Sequence, residues 1–351
     1  MLAALAGACR AAPDPLTSEL DRWSALLQHR TAADPAWGPI GQAAQPGLAG
    51  VREALGDGRR LLALDRLAAV RLKLEAASYV RERPAVQLHD GPAFTAEWVR
   101  MGTVLRDDLG KPSAAALASV HPAAVRAMAE AALPQVRGYY EASLDYGRST
   151  TLQDGLSYLG EAAALRDFVA FCGTLGDSFP RRREPPLRPL DGEIEALESE
   201  TLAAYRPPAA IARHGEFIGV SSMLKEAREL NAAGLLHGAL LRYLQAALTA
   251  RKLRASPPVF TRAALAGRLR ALDAGLGAGA AAEVDHTIGR LFIETARANL
   301  ARGTPGDLAI AAAIAGDVLP RYLAALGPAR PASPLPPAAA VTVTLVRWPY
   351  T

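Results

Sequence analysis

The chain has 351 residues, 39 basic and 35 acidic, and is 50% hydrophobic but only 6% aromatic. Half apolar content with 21% charge excludes intrinsic disorder, and two cysteines exclude a disulfide-stapled scaffold or a four-cysteine zinc module. Alanine fills 75 positions and β-branched or aromatic runs are few, which excludes a large sheet and predicts an all-α protein. Residues 1–178 carry 18 basic and 20 acidic groups, a balance of −2, while residues 179–351 carry 21 and 15, a balance of +6. Nucleic-acid binding needs basic residues clustered on one face with aromatics between them. The one tight cluster, Arg181-Arg182-Arg183, sits among prolines and precedes the acidic run 191–200, so it reads as a solvated linker and no nucleic-acid partner is expected.

Met1 to Ala8 is wholly apolar and small, Cys9 follows at once, and residues 10–15 form a polar tether punctuated by Pro13 and Pro15. Ala6-Gly7-Ala8 has the small-x-small pattern that signal peptidases accept. With the cysteine directly after it, the segment resembles the lipobox of bacterial lipoproteins. That resemblance implies a diacylated Cys9, a membrane tether through it and an address in the cell envelope. Ala6 departs from the family, which favours a larger aliphatic there, and there is no positive region before the apolar core. The alternative is an ordinary cysteine after an apolar N-terminus, in a cytoplasmic protein. The second cysteine, Cys172, lies in the apolar run 168–172 and reads as a small buried hydrophobe.

An N-terminal helical region is expected over 16–178. A first helix over 17–30 sets Leu20, Trp23, Leu26 and Leu27 on one face. Residues 31–47, with three prolines and three glycines, read as a loop. A long helical stretch over 48–83 breaks near Gly56-Asp57-Gly58. Its second half places Leu64, Leu67, Val70, Leu74 and Ala77 in a stripe beside Arg59, Arg66 and Lys73. Further helices are predicted at 94–109, at 121–148 with a bend at Pro134, and at 151–175. The Pro/Arg-rich segment 179–192 reads as a linker. Beyond it, a helical-hairpin region over 193–327 holds helices at 191–205, 208–230, 232–254, 260–274, 280–302 and 306–326. Residues 328–351 form a Pro-rich linker and an alternating stretch at 341–348 that predicts one short β-strand. The longest apolar run, 308–316, stops at Asp317, so no transmembrane span is expected.

Ala227, Leu230, Gly234, Ala239, Tyr243 and Ala246 stand at offsets 0, 3, 7, 12, 16 and 19. This spacing resembles the helix-turn-helix unit of tetratricopeptide repeats over 220–253. The resemblance implies that the three small residues let two antiparallel helices approach, with Leu230 and Tyr243 between them and Ala246 on the next hairpin. Glu226 departs from it by standing where an apolar residue is usual. The expected architecture is a stack of antiparallel helix hairpins, either repeat-like or an irregular α-solenoid or bundle.

Candidate chemistry is sparse. Ser222-x-x-Lys225 has the spacing of a serine nucleophile and lysine base, but the K-T-G and S-D-N partners of that chemistry do not occur. Glu283-x-x-His286 has di-iron spacing without a second copy, and a surface acidic cluster at a helix start accounts for Glu283 and Asp285. Histidines 29, 89, 121, 214, 237 and 286 form no metal-ligand pattern, and no glycine-rich phosphate loop is present. Tyr139 and Tyr146, one heptad apart and near Tyr140 and Tyr158, read as core or as the lining of a groove. No catalytic, cofactor or metal residue is assigned. The expectation is a non-catalytic scaffold of the envelope that binds another protein. The alternatives are an enzyme with a site dispersed over helices and a cytosolic helical adaptor.

Overall fold

The computed structural model describes residues 14–84, 90–106, 117–149, 151–205, 211–253, 261–277 and 283–327. Among them the protein is all-α, and its one strand-like pairing is a single parallel bridge between Arg183 and Val284. Twelve helices follow one another: α1 (Pro15–Ala33), α2 (Gly38–Gly56), α3 (Arg60–Arg81), α4 (Gly91–Val104), α5 (Ala123–Ser149), α6 (Leu152–Thr174), α7 (Asp191–Ala204), α8 (His214–Ala232), α9 (Leu236–Ala250), α10 (Arg262–Leu276), α11 (Thr287–Arg302) and α12 (Pro305–Ala325). The helices predicted at 17–30, 94–109, 121–148, 151–175 and 191–205 appear with modest shifts at their ends, as do those after residue 208. Cys9 and residues 10–13 of its tether lie outside the described residues, as do the proline-rich segment from 328 and the expected strand at 341–348.

One expected element boundary is corrected. The predicted loop over 31–47 is partly helix, because α2 already starts at Gly38. Pro39 stands in its first turn, where a missing N–H costs nothing, and Pro46 is carried inside the helix on its open side. Burial of Ala44, Leu48, Val51 and Ala54 offsets the lost hydrogen bond. A Cβ on Gly47 would come within 2.4 Å of the Val70 side chain, so α2 approaches α3 as closely as it does only with glycine there. Helix α12 runs through Asp317, as the helix expected at 306–326 does, and Arg321 one turn on pairs with Asp317 at 2.9 Å. By length and composition α12 is the one helix among the described residues apolar enough to cross a membrane, but half of its most apolar window is buried in this fold. Tyr322, Ile314 and Val318 are fully enclosed in the core.

A single apolar core runs from Leu16 on α1 to Ala325 on α12, so helices before and after residues 179–192 share it. The intervening segment is extended, with Arg183 exchanging backbone hydrogen bonds with Glu283 and Asp285 (3.0 and 2.8 Å). Arg188 reaches from it to the Gly327 carbonyl (2.7 Å) and to Glu193 (2.7 Å). A smaller core joins α3, α4, α5 and α6 around Tyr79, Phe94, Met101 and Val136. At the centre, every residue of α9 from His237 to Leu244 is buried, and α9 packs on α5, α7, α8 and α12.

Five helices carry their own cap: Asp14 on α1, Asp90 on α4, Thr151 on α6, Thr261 on α10 and Thr304 on α12. The starts of α3 and α9 have no capping side chain of their own, and α5 takes its first-turn acceptors from far along the chain. The Leu62 N–H of α3 donates to Glu294 of α11 (2.9 Å). The Ala123 and Ala124 amides of α5 donate to Asp285 Oδ2 (2.7 Å) and Thr287 Oγ1 (2.9 Å) at the head of α11. The Gly238 amide of α9 donates to Glu130 Oε2 of α5 (2.7 Å). Asp285 is therefore buried, which corrects its expected place in a surface cluster. Gly238 lies so close to α5 that an added Cβ would meet the Glu130 Cβ at 2.6 Å.

Glu130 is wholly enclosed and also holds the Arg126 guanidinium (2.8 Å), so its loss strands both an amide end and a buried cation. Glu130→Ala is expected to lower the unfolding free energy by about 3 kcal/mol in urea titrations. Thr261→Ala, at a self-capped helix, is expected to cost about 1 kcal/mol. Equal losses would show that the cross-helix cap has no special weight.

Candidate functional site

Helix α3 is mostly enclosed, yet Asp65, Ala69 and Lys73 stay exposed at successive intervals of four, which places them on one stripe. Along that stripe α2 turns Ala43, Pro46, Gly47, Ala49 and Gly50 towards Ala69, Val70 and Leu74, leaving a groove of about 920 Å³. Its floor is alanine, glycine and aliphatic, and its edge carries Glu53, Arg66, Lys73 and Arg302. Arg66 is braced by the Gly50 carbonyl (2.6 Å). Lys73 has no hydrogen bond or ion pair among the described residues. A second hollow of about 540 Å³ continues past Lys73 between α3 and α6, lined by Ala77, Gln153, Ser157 and Glu161. The two share Ile40, Lys73 and Ala77 and form one cleft along α3.

Asp65 marks the inner end of the stripe. It is exposed, yet protein surrounds it so completely that desolvation pushes its carboxyl up, against the pull of Arg242 and Arg66. No hydrogen bond or ion pair reaches Asp65 among the described residues. Arg242 of α9 is already engaged by Glu226 of α8 (2.8 Å), Gln245 (2.7 Å) and the Ala131 carbonyl of α5 (3.2 Å). Burial lowers the Arg242 pKa and raises that of Glu226, each partly offset by the other. The Tyr139 hydroxyl on α5 is pushed up by burial, with Glu161 and Glu226 adding to it. Helices far apart in sequence thus set a buried ion pair and a phenol behind α3, where Arg242 acts on the exposed Asp65 through its charge alone.

The opposite side of α3 holds a closed cluster. Arg71, 4% exposed, pairs with Glu75 (3.0 Å) and Glu19 of α1 (3.2 Å) and lies over the Trp23 and Phe171 rings (5.8 and 5.4 Å). Desolvation lifts the Glu75 carboxyl to about 7, with Asp167 of α6 adding to it and Arg71 and Arg22 opposing. Cys172 is buried beside this cluster, its thiol pushed up to about 12 by desolvation, which fits the hydrophobe expected from sequence.

The residues singled out in the sequence mostly serve packing. Ala227, Leu230, Ala239, Tyr243 and Ala246 are buried along the α8–α9 hairpin. Gly234 is exposed at its turn with φ +75°, so its glycine serves the left-handed backbone, and the close approach belongs to Gly238. Lys225 is exposed and pairs with Glu229 (4.0 Å), which removes the buried base that Ser222 would need. His286 Nδ1 shares a hydrogen bond with the Tyr322 hydroxyl (2.9 Å). His237 is buried and lowered to about 4 by desolvation and Arg126, so it stays neutral. Among the described residues no group of three histidine, cysteine or acidic side chains is placed to hold a metal. Tyr140 stacks on Trp98 (4.8 Å), while Tyr158 meets both Tyr146 (4.5 Å) and Tyr139 (5.6 Å). Sequence reasoning missed Asp65, and its signal was a lone acid in the apolar run 61–70. Comparison with protein families, curated proteins and solved structures finds no match.

Because the folded Glu75 holds its proton up to about pH 7 and the unfolded one only to the ordinary carboxylate value of 4.5, folding takes up protons between these limits. Its contribution is full below pH 4.5 and is lost as pH rises through 7. Chemical denaturation at pH 5 and pH 7 is expected to show the wild type losing up to about 1.4 kcal/mol per pH unit more than Glu75→Gln. Parallel curves for the two proteins would refute this assignment.

Proposed function

We propose that the chain is a non-catalytic helical scaffold of the cell envelope that binds an amphipathic helix of another protein in the cleft along α3. The observation that carries this reading is the groove between α2 and α3. Its small-residue floor admits a third helix at close range, as alanine and glycine do wherever helices approach. From Asp65 to Ala77 the stripe is twelve residues long, about 18 Å or three helical turns, enough for anchors at i, i+4 and i+7. Arg66, Lys73 and Arg302 outnumber Glu53 at the edge, so the charge complement is a helix with acidic flanks.

The envelope address rests on the Cys9 resemblance. The tetratricopeptide-like reading rests on the α8–α9 hairpin, whose two helices pair along Ala227, Leu230, Ala239 and Tyr243. Asp65 supports a second reading, an enzyme whose dispersed site lies on the α3 stripe one turn before Ala69, because an unpaired carboxyl that desolvation holds towards its neutral form, while open to solvent, is suited to proton transfer.

A labelled 18-residue designed helix with a leucine face flanked by glutamates is the probe for the first reading. Fluorescence anisotropy is expected to give saturable micromolar binding, weakened at least tenfold by Ala69→Trp and by replacing the probe's glutamates with lysines. Asp65→Asn is expected to leave it within twofold. Absence of saturation, or indifference to Ala69→Trp, would refute the groove as the binding surface.

A further inference from the structure

At the corner where α7 ends and α8 begins, three large aliphatic side chains face water: Leu202 at 57% exposure, Ile211 at 62% and Ile218 at 52%. They are the most open aliphatics among the described residues apart from Val99. Aromatic side chains fill the space among them. Tyr205, one turn after Leu202, stacks on Phe217 (4.2 Å between centroids), and its hydroxyl meets His214 Nδ1 (2.8 Å). Ile218 lies one turn beyond His214 on α8. Arg213, exposed at the same corner, donates to the Lys252 and Leu253 carbonyls (2.9 and 3.0 Å) and so draws the end of α9, with Arg251 and Lys252, alongside. Arg213, Arg251 and Lys252 thus gather at this corner, against the half-buried Glu216 and, before Leu202 on α7, Glu195 and the Arg228-paired Glu198, in the half of the chain that carries the +6 balance.

We infer that this corner docks on an anionic lipid surface. Protruding aliphatics supply insertion, the Tyr205–Phe217 pair is of the amphipathic kind that settles at the headgroup level, and the flanking Arg and Lys side chains neutralise lipid phosphates. Exposed isoleucine and leucine at a corner where Arg213, Arg251 and Lys252 gather match that partner in chemistry, and the acid one turn before Leu202 on α7, Glu198, is already held by Arg228. The patch lies on α7, α8 and the end of α9, whereas the cleft lies on α2, α3 and α6, so the inference does not depend on the helix-binding reading.

The test is co-sedimentation of the full chain with vesicles of 70% phosphatidylcholine and 30% phosphatidylglycerol, and with pure phosphatidylcholine. A Cys9→Ser background removes any acyl anchor. The wild-type corner is expected to bind the anionic vesicles at least tenfold more tightly than the neutral ones and to release them as salt rises from 50 to 300 mM. The triple variant Leu202→Glu/Ile211→Glu/Ile218→Glu is expected to lose that binding at least tenfold while keeping the wild-type circular dichroism melt. Arg251→Glu/Lys252→Glu, at exposed or half-exposed positions, is a second variant that tests the charge without touching the apolar contacts. Equal binding to both vesicles, or retention by both variants, overturns the inference. So does sedimentation equilibrium showing a wild-type dimer that the triple variant converts to monomer, since the patch would then cover a second copy of the chain.

Discussion

A helix buried on all sides brings its unsatisfied first-turn amides into the core, and apolar packing cannot satisfy them. In this protein the answer is a relay of side chains between distant helices. Glu294 of α11 receives the start of α3, Asp285 and Thr287 at the head of α11 receive the start of α5, and Glu130 of α5 receives the start of α9. These bonds join residues 232, 162, 163 and 108 positions apart, so the central helices find their acceptors only once the whole chain has assembled. Five other helices, α1, α4, α6, α10 and α12, close their starts with a local Asp or Thr and are free of that condition.

The same relay sets other features of the interior. An acceptor at a helix start must approach the backbone closely, and Gly238 is what lets Glu130 come within reach of the amide beside it. Each buried carboxylate also raises the question of its countercharge. Glu130 has Arg126, which is held in turn by Glu184 (3.0 Å). Glu294 has two amides and the more distant Arg59 and Arg297, and burial still leaves its pKa raised. Where an ion pair is enclosed without a helix start to serve, as at Arg71–Glu75, desolvation wins and the carboxyl is driven close to neutral pH.

These causes explain what could be read from the residues. Helix α1 was legible within two or three residues at each end, its Asp14-Pro15 start having been read as part of a tether. Helix α12 was legible nearly to the residue, because cap, proline and apolar period lie within a few positions. The turn at Gly234 was legible as a hairpin for the same reason. Asp285 was misread as a surface acid because its task is set by Ala123, which no local pattern connects to it. The start of α2 was misread because its prolines argue against helix, while the burial that overrides them lies on α3. The cleft was half legible. The heptad of Arg59, Arg66 and Lys73 marked a solvated side of α3, but that α2 and α6 wall that side is a tertiary fact.

Helix α3 shows why the cleft is better explained by binding than by imperfect packing. One side of it encloses an arginine on two aromatic rings, and its start is fixed by Glu294, so its position is held from both. A helix so constrained has little freedom to close a gap by shifting. The fold nevertheless leaves Asp65, Ala69 and Lys73 uncovered, with a carboxylate at one end that burial has already made costly and a lysine further along without a partner. Covering Ala69 with a larger α2 side chain would gain buried apolar area at about 25 cal/mol per Å². A chain that encloses Glu130, Asp285 and Tyr322 with full hydrogen bonding has the means to do so, as Val70 against Gly47 shows a few residues away. The open stripe lies on a helix held from both sides, where the proposed binding surface would be pre-organised and lose little entropy on meeting a partner.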